Sequence, residues 1–555
     1  MRRTTILLVL LCWVTYFAGL GRPAIGDSDE AFYAEAGREM LASGDWLTPH
    51  YNYDVRFQKP ILLYWLVAAS YGLLGVTEAA ARTVPALSGF ALCLLTAAIA
   101  RRWYDELTAR DSGLIAATAF GYFSVGRLAL PDLPLALTTT LSIWAVLRAS
   151  LDDERASGRW WLVAGAAVGA GLLIKGPVAL VLLLLVSVPI LWLERDHARV
   201  PIRWLVAASG LAALVAAPWY LAMIAVHGAP YINSFFVADN LERFATTRFN
   251  AMRPPWFYLP VLAGGLLPWT PVAVCCVAPA GTWLRDKTTR TAESWRLLIW
   301  LLLPLAFFTV SIGKQPRYIL PVLPPLAILL ARGFVRASDD PMAGRILRIA
   351  AVMVALFLAV LGLLLYRARA VVVSVDAWLV LASAGVILAA GVGLAIASFR
   401  VRLTAVPLAV GIAGAITLGG LQYGLAPAGR DPVQLMADLV VTHRQPAVPV
   451  ATYHAFVRNL VFYAGIGHID LSTEAQLRAF IARPEPVLCV IPARELERVG
   501  RTQPMAVRTL GEVEYLDASP VKLRALFSRN PARSLQRVLL VTNRRAEAQP
   551  PPPTQ

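Results

Sequence analysis

The sequence predicts a polytopic α-helical membrane protein of about 13 spans that ends in a small α/β domain outside the bilayer. Three observations predict it. Hydrophobic residues fill 57% of the 555 positions and charged residues only 15%, a balance that an ordinary water-soluble globule does not have. Apolar runs of roughly 17 to 25 residues recur from the N-terminus to about residue 423, each long enough to cross a hydrocarbon core of roughly 30 Å as a helix. Beyond that point the pattern changes to short strand-like runs between helical stretches. The apolar runs are continuous and not alternating, which excludes a β-barrel.

Arg2 and Arg3 precede the first run, Ile6 to Leu20, and Gly21 to Gly26 lacks a small-x-small cleavage site. The run therefore reads as an uncleaved first span and not as a signal peptide. Its basic flank sets the N-terminus in the cytoplasm and sends the segment from about Arg22 to Arg82 to the periplasmic face. Within that segment a helix is expected over Ala31 to Ala42. The stretch Ile61 to Gly75 is only about 15 residues and carries Tyr64, Trp65 and Tyr71, which suits a helix lying at the interface better than a span. With that helix flat, Val84 to Ala100 is the next span and Arg101, Arg102 and Arg110 fall in the cytoplasm. Continued alternation puts Arg155 and Arg159, Arg195 to Arg203, Arg285 to Arg296, Arg332 to Arg348, and Arg400 with Arg402 there too. Were Ile61 to Gly75 to cross, each of those basic loops would face the periplasm, against the positive-inside rule.

The net charge of +16 is spread over these short interhelical loops. It marks topology and not a nucleic-acid surface. Of five cysteines, Cys12, Cys93, Cys275 and Cys276 lie inside apolar runs and Cys489 in a strand-like stretch, so no disulfide framework or CxxC metal site is visible. In the C-terminal region Pro449 to Tyr453 and Pro486 to Ile491 read as strands, and Thr473 with Gln476 reads as a capping box. The resulting division is a membrane domain 1–423 with an outer loop 22–82, a periplasmic α/β domain 424–545, and a proline-rich tail 546–555 that reads as disordered. No internal repeat is apparent.

On this topology, polar residues with no anchoring role gather near the periplasmic ends of spans. The first outer loop holds Asp27, Asp29 and Glu30, then Tyr33, Glu35, Arg38 and Glu39, and closes with Phe57-Gln58-Lys59-Pro60. Asp132 follows Leu130-Pro131 at one outer turn, and Lys175 precedes Gly176-Pro177 at another, where the helix breaks. The loop from His227 to Pro255 adds Asp239, Asn240, Arg243, Arg248 and Arg253, and Lys314-Gln315-Pro316-Arg317-Tyr318 forms a further turn. An ionisable group at membrane depth is costly unless it is paired or faces water, so it is a functional candidate. The bland alternatives are snorkelling to the headgroups for Arg248 and Arg253, and a solvated loop or a helix cap for Asp29 and Glu30. The convergence of carboxylates and cations from separate outer loops favours a site. Cations at a membrane surface suit an anionic headgroup, and an aspartate among them suits orientation or deprotonation of an acceptor.

The string Asp29-Glu30-Ala31-Phe32-Tyr33-Ala34-Glu35, followed by Arg38-Glu39-Met40 and Gly44-Asp45-Trp46, resembles the first-loop signature of the polyprenyl-phosphate-sugar-dependent GT-C glycosyltransferases. It is most similar to the branch holding the bacterial aminoarabinose (lipid A) transferases and the dolichyl-phosphate-mannose protein mannosyltransferase-like enzymes. The resemblance continues in order through Phe57 to Pro60 with Tyr64-Trp65, Leu130-Pro131-Asp132, Lys175-Gly176-Pro177, Asn240 to Phe244 and Lys314 to Pro321. Tyr453-His454 to Phe462-Tyr463 is similar to the branch's small periplasmic domain.

The resemblance implies that Asp29 is the catalytic carboxylate, with Glu30 beside it. It implies that Lys59 holds the carrier phosphate, that Lys175 and Asp132 complete the polar cavity, and that Tyr318 and the cations before it come from a loop that orders on donor binding. The donor-phosphate set is thus expected to be Lys59, Lys175, Arg253, Lys314, Arg317 and Tyr318, with Asp132, Asn240 and Arg243 as further cavity groups. Two departures stand out. Phe32 replaces an arginine and Gln58 the glutamate of a Glu-Lys-Pro, and the outer loop carries Asn250 and Met252 where the aminoarabinose enzymes have histidines, leaving His227 isolated. A structural zinc is not expected there. The carboxylates leave room for a divalent cation.

The implied reaction is an inverting transfer from a polyprenyl-phosphate sugar to a periplasmic lipid, glycan or protein, in the bacterial inner membrane. Phosphate is a good leaving group whose charge calls for cations more than for an acid. No nucleotide-binding fingerprint is present, in keeping with a lipid-linked donor and no nucleic acid partner. The rival from another class is a transporter or flippase, which would place binding groups near the midplane and show repeated halves. A non-catalytic subunit that binds a lipid phosphate is the other.

Overall fold

In the computed structural model, the structure describes residues 2–152, 157–248, 252–368, 376–425, 429–515 and 535–543. Arg155, Asn250 and the expected disordered tail 546–555 lie outside them. Among the described residues, eight helices are long and apolar enough to cross a membrane: Glu78–Trp103, Asp132–Leu151, Ile202–Ala245, Ala292–Val310, Pro316–Asp339, Pro341–Ala368, Ala377–Arg400 and Leu403–Leu425. Arg3–Phe17, Leu62–Leu74, Val178–Leu193 and Val272–Arg285 are shorter and apolar. Length and composition therefore give eight candidate spans among the described residues, and the expected figure of about 13 is not reached by them. The first helix packs into the bundle, with Leu8, Cys12 and Tyr16 buried in its core. All five cysteines are free thiols.

The basic loops meet at one end of the bundle. Arg296 pairs with Glu194 at 2.6 Å, Arg332 with Asp105 at 2.8 Å and Arg148 with Asp152 at 2.8 Å. Arg348 donates to the Val401 carbonyl at 3.1 Å. The opposite ends of the same helices carry Arg82, Asp132 and Lys175, beneath the first outer loop.

In that loop the helix Asp29–Ser43 is capped by Ser28, whose Oγ accepts the Glu30 N–H at 3.4 Å, and it ends at Gly44. Helix Leu62–Leu74 packs on it. The rings of Tyr33 and Tyr64 stack 5.4 Å apart, and Tyr71 donates to the Ala34 carbonyl at 3.1 Å. With 13 residues this second helix is about 20 Å long, short of a hydrocarbon core. One face is buried, while Leu66, Leu73 and Leu74 stay exposed. A short hairpin, β1 (His50–Tyr51) with β2 (Asp54–Val55), connects the two helices.

The C-terminal region forms a five-stranded sheet of β3 (Val450–Tyr453), β4 (Ile469–Leu471), β5 (Leu488–Pro492), β6 (Arg508–Tyr515) and β7 (Gln536–Thr542) in the order β4-β3-β5-β7-β6. β3 runs parallel to β4 and β5, and β7 is antiparallel to both β5 and β6. The two expected strands are β3 and β5, and the expected capping box at Thr473 and Gln476 is formed. The other three strands were not anticipated. β6 breaks the period-two pattern, with two exposed positions followed by two half-buried ones across a bulge between Thr509 and Gly511, and only Val513 is buried. The sheet region docks on the first outer loop. Asn459 donates to the Ile25 carbonyl at 2.9 Å, the Ile25 N–H donates to Tyr463 Oη at 2.7 Å, and Asn52 exchanges bonds with the His468 backbone at 2.7 and 3.0 Å.

Candidate active site

Lys175 ends the helix Ser157–Lys175, and Gly176 then takes a φ of +84 that lets Pro177 start the helix Val178–Leu193. A Cβ on Gly176 would meet the Phe235 ring at 2.8 Å, so the turn also needs the absence of a side chain. This turn delivers the Lys175 ammonium to Asp132 at 2.6 Å, at the first position of the helix Asp132–Leu151. A carboxylate there is favoured by the N-terminal helix dipole. Gly228, at φ +56, breaks the long Ile202–Ala245 segment, and the chain beyond it winds in widened π-type turns. Those turns bring Asp239 against both Lys59 and Arg243. Arg317 pairs with Asp29 and approaches Asp132 with Nε at 3.3 Å.

Two cavities meet along this network. One, of about 490 Å³, is an apolar groove walled by Leu135, Val178, Val181, Phe244, Phe307 and Phe308. The other, of about 440 Å³, is polar and is lined by Asp29, Phe32, Tyr33, Arg56, Gln58 and Arg458. Lys59, Asp132, Lys175, Arg243, Arg317 and Tyr318 line both. Cations outnumber carboxylates at this shared wall. Burial pushes the Lys59 ammonium down to about 8, and the carboxylate of Asp239 only partly offsets that. Asp29 behaves in the opposite sense. Burial alone would raise it, but Arg317, Arg458 and Arg56 outweigh burial and hold it below the ordinary carboxylate value. Gln58 Oε1 is buried without a hydrogen-bond donor among the described residues, an acceptor that a ligand hydroxyl could satisfy.

The expected residues separate on this geometry. Asp29, Lys59, Asp132, Lys175, Arg243, Arg317 and Tyr318 converge, and Asn240 lines the groove while donating to the Phe235 carbonyl at 2.7 Å. Glu30 does not join them. Its carboxylate is buried at 1% exposure, paired with Arg82 at 2.7 Å, and accepts the N–H groups of Ala129 and Gly26 at 3.0 Å each. Adjacent helical positions face different ways, so Asp29 and Glu30 part company. Lys314 is also turned away: its ammonium donates to the Ser311 carbonyl at 2.6 Å and the Arg253 carbonyl at 3.4 Å, and neither Lys314 nor Arg253 lines a cavity. Arg56 and Arg458 were not among the expected site residues, and Asp239, one of the polar groups noted in its outer loop, had been given no role in the site.

His227 contacts Thr48 Oγ1 at 2.9 Å and the Phe57 ring, away from the cavity. Among the described residues no group of three or more His, Cys, Asp or Glu side chains could hold a metal ion. Asp29 and Asp132, the two carboxylates of the polar cavity, are already engaged by Arg317 and Lys175, a poor donor set for a hard cation.

Residues 5–229 match the family model described as dolichyl-phosphate-mannose-protein mannosyltransferase. Over 333 residues the chain is 33% identical to an undecaprenyl phosphate-alpha-4-amino-4-deoxy-L-arabinose arabinosyl transferase of Proteus mirabilis, covering 59% of this chain and 58% of that one. Over 342 residues it is 34% identical to the Pseudomonas aeruginosa transferase of the same name, covering 60% of each. The chain thus spans less than two thirds of the length of the relatives it matches. The crystal structure of ArnT from Cupriavidus metallidurans bound to undecaprenyl phosphate superposes with a TM-score of 0.74 at 22% identity, covering 98% of this chain and 99% of that one. The chain has the GT-C fold of that structure, and it is similar in sequence to glycosyltransferases of the aminoarabinose transferase type.

Proposed function

We propose that the protein is an integral membrane glycosyltransferase that takes a sugar from a polyprenyl-phosphate carrier and transfers it, with inversion, to a lipid, glycan or protein acceptor in the periplasm. The observation that carries this reading is the shared wall. An apolar groove wide enough for a prenyl chain and a polar cavity open to a sugar meet along Lys59, Lys175, Arg243 and Arg317. An anionic headgroup with an apolar tail belongs at that junction. The relatives named above, and the undecaprenyl phosphate bound in the neighbouring crystal structure, support the same donor class.

In the reaction the acceptor oxygen attacks the anomeric carbon while the bond from that carbon to the phosphate oxygen breaks. The electron pair leaves with the phosphate, and the shared cations stabilise its developing charge. Asp29, kept ionised by its arginine neighbours, orients the acceptor and takes its proton as the new bond forms. Lys59, Lys175, Arg243 and Tyr318 serve the phosphate, and Asp132 and Asp239 hold those cations in place. Arg317 bridges the two sides.

The topology belongs to this reading: an inner-membrane protein with its N-terminus cytoplasmic, a membrane domain 1–423 and a periplasmic domain from 424 to 545. The clustering of Arg148, Arg296 and Arg332 at the end of the bundle opposite Asp29 supports it. Purified protein incubated with a labelled undecaprenyl-phosphate sugar and a periplasmic membrane extract should release free undecaprenyl phosphate. Movement of intact donor across a vesicle bilayer without release would make the protein a flippase instead.

A further inference from the structure

β3 is flanked by parallel strands on both sides, and the connection leaving its carboxyl end leads to β4 on one side while the one leaving the adjacent β5 leads to β6 on the other. Loops at such a switch point open outward and commonly carry binding groups. Here the loop after β3 takes left-handed backbone at His454 (φ 57) and Phe456 (φ 52), conformations that non-glycine residues adopt at a cost. The loop is held in that shape by the membrane domain. Asp27 accepts the N–H groups of Val457 at 3.2 Å and Arg458 at 2.7 Å, and Tyr51 Oη donates to the Arg458 carbonyl at 3.0 Å.

What this fixed backbone presents is the Arg458 guanidinium, 5.5 Å from the centre of the Phe32 ring. The Arg56 guanidinium stands against the same ring at 4.0 Å. Neither guanidinium pairs with a carboxylate among the described residues; Arg56 donates to Tyr64 Oη at 3.3 Å, and Asp27 is spent on the backbone. Two guanidiniums share one ring and both line the polar cavity, where the nearby Asp29 carboxylate is paired with Arg317, so this corner keeps an excess of positive charge that suits an incoming anion. Both arginines border the cavity that holds Asp29, the residue assigned to the acceptor, and lie outside the apolar groove and off the wall of cations assigned to the carrier phosphate.

We infer that Arg56 and Arg458 form an oxyanion subsite that binds a phosphate or carboxylate of the acceptor, separate from the oxygen that attacks, and that the C-terminal domain thereby selects acceptors. The inference rests on the glycosyltransferase reading. It makes Arg458 a specificity residue in a domain that carries none of the phosphate-binding groups assigned above. Phe32 then serves as the apolar plate against which both guanidinium planes are positioned.

The test uses the full chain in detergent, with the donor site filled by saturating undecaprenyl phosphate, and titrates inorganic phosphate as the probe. Wild type should bind the probe, and Arg458→Gln and Arg56→Gln should each weaken it about tenfold or more, as expected for loss of a charge-assisted contact. Arg458→Lys should lose less, which controls for folding together with an unchanged melting temperature. Undecaprenyl phosphate affinity should stay within about twofold in Arg458→Gln, since that residue lies off the groove. Equal probe binding by wild type and Arg458→Gln would overturn the inference. So would a tenfold loss of undecaprenyl phosphate affinity in Arg458→Gln, because the arginine would then serve the donor. Failure of the wild type to bind undecaprenyl phosphate at all would instead defeat the glycosyltransferase reading.

Discussion

Arg317 reaches 288 positions back along the chain to pair with Asp29, and its Nε lies 3.3 Å from Asp132 as well. One guanidinium thus links the first outer loop to the start of a bundle helix. Asp29 is held as a carboxylate by that contact, which makes its charge, more than its size, the property on which turnover depends.

Asp29→Asn should therefore lower the chemical step by about 100-fold or more while undecaprenyl phosphate binding persists, as measured by single-turnover kinetics alongside a binding titration. Asp29→Ser separates this role from helix capping. Ser28 already caps the helix, so the serine variant should fold normally and be as inactive as the asparagine one. Full turnover by folded Asp29→Ser protein would remove Asp29 from the chemistry.

Lys59 gives a pH signature. Burial pushes its ammonium down to about 8, so in the donor-free protein it is charged below that value and neutral above it. A phosphate prefers the charged form, and affinity for undecaprenyl phosphate should fall as pH rises from about 7 to about 9. Lys59→Arg stays charged throughout and should flatten this dependence. Lys59→Ala should bind weakly at every pH. Asp239→Asn removes the charge that props the ammonium up, so the midpoint of the wild-type fall should move below 8 in that variant. A midpoint unmoved by Asp239→Asn would show that the pair does not govern Lys59.

For Glu30 the expectation is structural. Glu30→Gln leaves Arg82 charged and buried without its partner, a loss on the order of 3 to 5 kcal/mol. Melting of the detergent-solubilised protein should drop by several degrees, whereas the folded fraction should keep its affinity for undecaprenyl phosphate. Loss of turnover with an unchanged melting temperature would return Glu30 to the chemistry.

The orientation of the bundle is checked by reporter fusions after Tyr104 and after Leu151, both of which should read cytoplasmic. A periplasmic signal at either position would overturn the proposed topology and, with it, the reading of the shared cavity as periplasmic.

Much of the site was legible in the sequence because its chemistry is out of place there. Asp132 and Lys175 stand between apolar runs, and lipid leaves few reasons for a charge in such positions. Their pairing follows from two turns at the same end of neighbouring helices. Lys314 carried the same signal and misled. A cationic side chain beside Gln315-Pro316 has the composition of a phosphate ligand, yet a local turn aims it at the Ser311 carbonyl, and composition does not encode direction. Arg458 was illegible for another reason: it lies on the far side of the membrane region from Phe32 in sequence, and only the docking of Asn459 and Tyr463 on the first outer loop brings it near. Asp239 depended on the backbone break at Gly228 and the widened turns after it, which redirect the loop toward Lys59.

The shared wall between groove and cavity also governs traffic. On the proposed function, the exposed apolar side chains of Leu180, Val181 and Leu184 give a lipid carrier a sideways route between groove and bilayer, separate from the polar cavity that would admit the acceptor. Neither substrate blocks the other's exit. On that reading spent carrier would return to the bilayer independently of the glycosylated product, and the two departures would need no obligatory order.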